Sequence, residues 1–226
     1  VVVLDPDPHS PAGLIADQHI KADYRDRAAL QMLGDECAAV TTEFENVPAG
    51  SLEYLQQFCT VRPGPEAVRI AQDRIREKTF IRDHGLSTAP FTAIYEAADL
   101  EDAIARLQAP LLLKTASLGY DGKGQIQVST LEEAQSAFGQ LGNRPCVLEE
   151  MLDLAREISV VLARCSDGRQ AVYPVGENRH VNGVLDTTMV PASIDEASRD
   201  TAVSMAVRLA DSMNYCGVLA VEFFHT

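Results

Sequence analysis

Leu111-Leu-Leu-Lys-Thr-Ala-Ser-Leu-Gly-Tyr-Asp-Gly-Lys-Gly-Gln125 is the segment on which the reading of this chain turns. A short apolar run ends in Lys114, and a loop with glycine at 119, 122 and 124 follows. Glycine lets backbone N–H groups turn toward a ligand with no Cβ in the way. Lys114 and Lys123 set an ammonium group near either end of that loop. The combination suits the phosphates of a nucleotide. A plain glycine-rich hairpin with solvated lysines is the ordinary alternative, but Lys114 closes a strand that would otherwise be core, which favours the phosphate. The glycine order excludes two familiar clamps. Nothing reads G-x-x-x-x-G-K-[ST], and G-x-x-G-x-G followed by a β-rich segment is not the dinucleotide fingerprint. A third type of clamp is required.

Composition bounds the partners. The 226 residues, 46% hydrophobic and 23% charged, suit a soluble globular protein of one or two domains. A net charge of −14 argues against a nucleic-acid or anionic-membrane surface. A polyphosphate on so acidic a protein needs local cations: a few Lys and Arg together with a metal. No apolar run approaches the ~18 residues of a membrane span. Cys37, Cys59, Cys146, Cys165 and Cys216 form no C-x-x-C pair, the pattern of reduced cytosolic thiols rather than a zinc site. The chain opens on the bare strand Val1–Leu4 and stops at Glu222-Phe-Phe-His-Thr226, so both ends read as cut.

Periodicity and turn residues predict the elements. Strands Val1–Leu4 and Ala38–Thr42 alternate with helices Asp26–Leu33 and Pro48–Phe58, which implies a parallel sheet with helices on its faces. Glu66–His84 reads as one long helix stopped by Gly85. Strand Phe91–Tyr95, an aspartate-capped helix Asp99–Leu107, strand Leu111–Thr115 and strand Gln125–Val128 come next. Thr130-Leu-Glu-Glu133 is a capping box opening a helix to about Leu141, and strand Cys146–Glu149 follows. Arg156–Arg164 and Gln170–Val175 read as a hairpin across Ser166-Asp-Gly168. Ser193-Ile-Asp-Glu196 caps a helix to about Met213, and Cys216–Phe224 reads as a final strand buried on both faces.

Four groups of polar residues carry chemistry. Arg74 and Lys78 are four apart and share a helix face, an arrangement more often a solvated charged face than a site. Glu149 ends a strand whose following backbone suits an adenine edge. Glu157, eight residues on, suits two ribose hydroxyls, although two surface glutamates would read alike. Glu222 interrupts Cys216–Phe224, where an unpaired buried carboxylate is costly, so a cation or magnesium is expected beside it, with a place on an exposed edge as the alternative.

Taken together, these residues resemble the ATP-grasp family in order and spacing. More narrowly, the chain is similar to the 5-(carboxyamino)imidazole ribonucleotide synthases, ATP-dependent carboxylases of purine biosynthesis. Three further segments carry that likeness: Val3-Leu-Asp-Pro6 through Asp17, Thr42-Glu-Phe-Glu-Asn-Val-Pro48, and Tyr173-Pro174 through Glu177-Asn-Arg-His180-Val-Asn-Gly183. The resemblance implies an α/β fold, α+β in the second half: a Rossmann-like N-terminal domain over 1–70, then an ATP-grasp region over 71–226. Within the latter it implies a lid subdomain at about 88–150 and a truncated C-terminal subdomain at about 153–226.

Carried over by residue, it implies ATP phosphates on Arg74 and Lys114 under a lid loop of Gly119, Tyr120, Asp121, Gly122, Lys123, Gly124 and Gln125. Adenine falls to Glu149, Glu150, Met151 and Leu152, and ribose to Glu157, with His180 near the nucleotide. Glu222 would be one of two magnesium ligands, and Glu45 would face the substrate amine. The implied reaction carboxylates aminoimidazole ribonucleotide with bicarbonate and MgATP in a cytoplasmic homodimer. The family's first glycine-rich turn and its second metal carboxylate would lie outside residues 1–226, which implies an inactive fragment. A formate-dependent glycinamide ribonucleotide transformylase, or a nucleotide-binding module without catalysis, stands as the alternative.

Overall fold

A computed structural model describes residues 1–119 and 123–226. The chain divides into two compact units, one of Val1–Arg69 with Tyr215–Gly217 and one of Ile70–Asn214 with Val218–Thr226.

In the first unit, β1 (Val2–Leu4) pairs in parallel with β2 (Gln18–Ile20) across α1 (Pro11–Ile15). α2 (Arg27–Glu36), β3 (Ala39–Val40), α3 (Ala49–Leu55) and β4 (Thr60–Val61) follow, with β3 and β4 again parallel. The expected strand–helix alternation is present, but as two separate two-stranded ladders. Strands this short are too brief to show periodicity, so β2 and β4 left no sequence signal. Ile20, Leu30, Leu33, Leu52, Leu55 and Val61 form the core. Asp26 caps α2 by accepting from the Ala28 and Ala29 N–H groups.

The single long helix expected over Glu66–His84 is two helices, α4 (Pro65–Ala71) and α5 (Arg74–Asp83). Asp73 makes the break. Its backbone is extended, with φ −133° and ψ 111°, and its carboxylate accepts from the Ile75 and Arg76 N–H groups. A new helix starts there, with Arg74 at its first position.

Beyond α5 come β5 (Phe91–Ile94), α6 (Asp99–Arg106), β6 (Leu111–Thr115), β7 (Gln125–Val128), α7 (Leu131–Gln140) and β8 (Cys146–Glu150). The four strands form an antiparallel sheet in the order β5-β8-β6-β7. Leu111, Leu113, Cys146 and Leu148 point to one face and pack with Leu100, Ala103, Ala134 and Phe138 of α6 and α7. Asp99 does not cap α6 as expected. It is the helix's first residue, and its carboxylate accepts from the preceding Tyr95 and Glu96 N–H groups. The Thr130 capping box is present, Thr130 Oγ1 accepting from the Glu133 N–H and Glu133 accepting from that of Ser129.

The last sheet holds β9 (Arg156–Arg164), β10 (Gln170–Val172), β11 (Gly176–Val181), β12 (Val184–Met189) and β13 (Gly217–His225), with α8 (Glu196–Ser212) before β13. β10 and β11 both pair with β9, β12 pairs with β11, and β13 pairs with β9. The β11–β12 hairpin was not read from sequence, although Asn182-Gly183 marks it. Both residues have positive φ, 54° and 81°, which the asparagine–glycine pair tolerates. Asp195, not Ser193, caps α8, while the Ser193 N–H donates to Glu177.

The largest correction concerns β13. Its residues alternate between half-buried and exposed, and none is fully buried. Among the described strands it pairs with β9 alone. Within residues 1–226 its apolar run is half-buried rather than buried on both faces.

Asp73→Ala should lower stability by about 1 kcal/mol, the usual loss of an N-cap, read as a lower urea midpoint with an unchanged slope.

Candidate functional site

Strand parity builds the site. On β6, Leu111 and Leu113 face α6 and α7, so Leu112 and Lys114 must point to the opposite face. On β8, Cys146 and Leu148 take the first face, and Val147 and Glu149 the second. The register sets Lys114 opposite Val147 and Glu149 opposite Leu112, so Lys114 and Glu149 are diagonal neighbours. α5 covers this second face, with Ile75 packed on Val147 and Ala116. Arg74 and Lys78, one turn apart, are carried in with it. The i,i+4 pair is therefore not a solvated face.

Glu149 is 2% exposed. Lys78 Nζ lies 2.7 Å from its Oε2, and Lys114 Nζ pairs with its Oε1. Lys78 also donates to Thr88 Oγ1 at 3.1 Å and stands 5.6 Å from the centre of the Phe91 ring. Burial pushes the Glu149 carboxyl up, but the two lysines outweigh it and hold it below the ordinary glutamate value.

Arg74 serves the loop. Its N–H donates to Ala116 O at 2.8 Å, and its guanidinium donates to Thr115 O at 3.1 Å and Gly119 O at 3.2 Å. A Cβ on Gly119 would stand 2.9 Å from Arg74 Nη1. Gly124, with φ +74°, passes its carbonyl to the Thr115 N–H at 2.8 Å, and a Cβ there would meet Thr115 Oγ1 at 2.8 Å. Both glycines are needed for close approach. Lys123 and Gln125 are exposed. Tyr120, Asp121 and Gly122 lie outside the described residues.

The segment after β8 is partly committed. The Glu150 N–H donates to Pro90 O and the Met151 N–H to Pro110 O, while Glu150 Oε1 accepts from the Gln108 N–H. Among the described residues, the N–H groups of Leu152, Asp153 and Leu154 make no hydrogen bond, so backbone donors just after β8, Leu152 first, are left for a ligand. Glu157 and His180 are brought together, His180 Nδ1 lying 2.6 Å from Glu157 Oε2 across β9 and β11.

Glu222 lies on the exposed parity of β13 with Val218, Ala220 and Phe224, so the expected burial does not occur. Its charge nevertheless reaches Glu77 on α5, a residue that sequence reasoning passed over. Burial pushes the Glu77 carboxyl up; Lys78 and Arg74 oppose this, and Glu149 and Glu222 reinforce it. Among the described residues no three His, Cys, Asp or Glu side chains gather as a metal cage. A lone exposed Glu222 fits a magnesium carried on phosphates, since magnesium keeps few protein ligands, rather than an ion held by protein alone. Glu45 is exposed on the 41–48 segment of the first unit. A hollow of about 250 Å³ lined by Ser159, Val161, Tyr173, Pro174, Gly176, Thr188 and Val190 involves none of the residues above.

Lys78 was within reach of sequence reasoning. Counting parity back from core Leu113 and Leu148 puts Lys114 and Glu149 on one face, where a helix bearing Arg74 and Lys78 must cover them.

Two sheets, with two lysines converging on a buried glutamate and a glycine-rich segment after β6, describe one class of protein. The ATP-grasp domain matches residues 79–226, more than half of the chain, and the chain belongs to the ATP-grasp family. The ribonucleotide synthetase preATP-grasp domain matches residues 1–72. Within that class the likeness narrows to one kind of enzyme. The N5-carboxyaminoimidazole ribonucleotide synthase of Pseudomonas aeruginosa is 41% identical over 221 residues, covering 98% of this chain and 61% of the relative. The N5-carboxyaminoimidazole synthetase of Staphylococcus aureus solved with ADP superposes with a TM-score of 0.92 at 35% identity, covering 99% of this chain and 60% of that one. The Aspergillus clavatus enzyme solved with ADP and 5-aminoimidazole ribonucleotide gives 0.88 at 26% identity, covering 99% and 59%. The chain spans about three fifths of the length of the curated relatives it matches. Among the described residues, no helix is long and apolar enough to cross a membrane.

Glu77 yields a pH test. A carboxyl raised in the folded state contributes stability below its unfolded value, which is lost as pH rises through the folded value. Glu77→Gln should therefore be more stable than the parent at pH 7. The gap should close as pH falls below the ordinary glutamate range, as read from urea midpoints across pH.

Proposed function

We propose that this chain is the nucleotide-binding part of an ATP-dependent carboxylase that converts 5-aminoimidazole ribonucleotide and bicarbonate to 5-(carboxyamino)imidazole ribonucleotide, releasing ADP and phosphate. The observation that carries the reading is the convergence of Lys78 and Lys114 on buried Glu149, with Arg74 donating to Gly119 O where the glycine segment begins. On an acidic chain this is a concentrated set of cations. The relatives solved with ADP, one of them with the ribonucleotide as well, support the same choice.

On this reading Lys114, Lys78 and Arg74 stabilise charge on the phosphates, and Gly119–Gln125 form a lid. Adenine takes the Leu152 N–H and the neighbouring backbone of Glu149–Met151, and Glu157 with His180 takes the ribose side. Glu222 would hold magnesium, which when bound offsets charge on the phosphoryl group. Bicarbonate oxygen attacks the γ-phosphorus and ADP leaves; the exocyclic amine, which Glu45 faces, then attacks the carboxyphosphate carbon, the C–O bond to phosphate breaks, and the nitrogen's proton passes to the departing phosphate. Carboxyphosphate hydrolyses readily, so the lid's task is to exclude water. The division at about residue 70, a lid subdomain over 88–150, a cytoplasmic location and a homodimer belong to the same proposal.

The test is turnover in protein carrying the further length of its relatives. ADP formation should require bicarbonate and aminoimidazole ribonucleotide together. Stimulation by formate and glycinamide ribonucleotide instead would point to a transformylase, and nucleotide binding with no turnover to a module. In the same protein Lys114→Ala should cost on the order of 2–4 kcal/mol of transition-state stabilisation with an unchanged melting temperature. Near-parental turnover would remove the lysine from the mechanism.

A further inference from the structure

Glu149 carries one ammonium group on each of its two oxygens. A buried ion pair needs only one. The lysine side chains are 14% and 16% exposed, so two partly desolvated cations are gathered at one point. Desolvation and a like charge both disfavour the charged form of an amine. Among the described residues, Glu149 is the one anion in ion-pair contact with either lysine. From α5, Arg74 turns its guanidinium to the Thr115 and Gly119 carbonyl oxygens, and Glu77 is the next carboxylate. From β13, Glu222 acts on Glu77, and from β5 the Phe91 ring faces Lys78.

We propose that Glu149 is a positioning residue whose carboxylate keeps Lys78 and Lys114 both protonated and convergent, so that a polyphosphate meets two ammonium groups rather than an ammonium and an amine. The proposal rests on the reading of these lysines as phosphate ligands. It does not require Glu149 to be displaced. Each ammonium has three donors. Lys78 spends one on Thr88 and stands in ion-pair contact with Glu149 Oε2, and Lys114 pairs with Glu149 Oε1. Every lysine keeps a donor for phosphate oxygen, and the two cations and one anion leave the site a net positive charge. An adenine contact or plain packing by Glu149 would leave the lysines' protons indifferent to it.

The experiment is a pH titration of lysine Cε resonances in the ligand-free 226-residue chain, with Lys78 and Lys114 assigned by their methionine variants. In Glu149→Gln one of the two lysines should lose its proton at a pH lower than in the parent chain, by on the order of 1–3 pH units. Calorimetric binding of MgATP to that variant should then weaken as pH rises through the lowered value, a fall the parent does not show in that window. Glu149→Gln/Lys78→Met restores the parent's net charge and should return Lys114 to its parental titration. If Glu149→Gln alone does not fold, the double variant should fold. Identical lysine titrations in parent and Glu149→Gln overturn the proposal, as does a double variant that behaves like the single one. A lysine shift without any MgATP binding by the parent would instead remove the phosphate reading and leave the role of Glu149 toward the lysines standing.

Discussion

A carboxylate that is almost wholly buried must be paired, and Glu149 is paired twice. Removing one partner from a buried ion pair typically costs about 3–5 kcal/mol, because a bare charge is left in a dry place. That constraint fixes which face of the β5-β8-β6-β7 sheet α5 covers, since Lys78 must come from α5 and Lys114 from β6. It also ties strands to helix through charge, where the opposite face is built on an apolar cluster. The sheet is thus asymmetric, with a dry side under α6 and α7 and a charged side under α5.

The break at Asp73 follows from the same need. A continuous helix from Glu66 to His84 would carry Arg74 in its middle, with its N–H spent on an intrahelical bond. By restarting the helix, Asp73 frees that N–H for Ala116 O and sets the guanidinium against Thr115 and Gly119. The loop after β6 is therefore held at its root by α5, while glycines at 119 and 124 allow the approach. Fold and proposed chemistry meet in one short stretch of backbone.

Much of this was legible. Leu111–Thr115, Gln125–Val128 and Arg156–Arg164 occupy the strands expected of them, because alternation and flanking turn residues agree there. The helix break was obscured by charged residues that suit a helix on either side of Gln72-Asp73. β13 misled because a continuous apolar run does not reveal how many neighbours a strand has, and this one has β9 alone among the described strands. The two lysine partners of Glu149 were not legible, because sequence supplies its place at a strand end but not which side chains converge on it. Glu77 gave no signal, since a glutamate on a charged helix looks solvated until packing desolvates it.

The net charge of −14 makes the cation cluster the place where a polyphosphate gains most. Amide hydrogen exchange on the 226-residue chain, with and without MgADP, tests that directly. Nucleotide should slow exchange across Leu111–Gln125 and at the Leu152 N–H, and leave residues 1–69 unchanged. Protection confined to other segments, or none at saturating MgADP, would contradict a nucleotide site built on Lys78, Lys114 and Glu149.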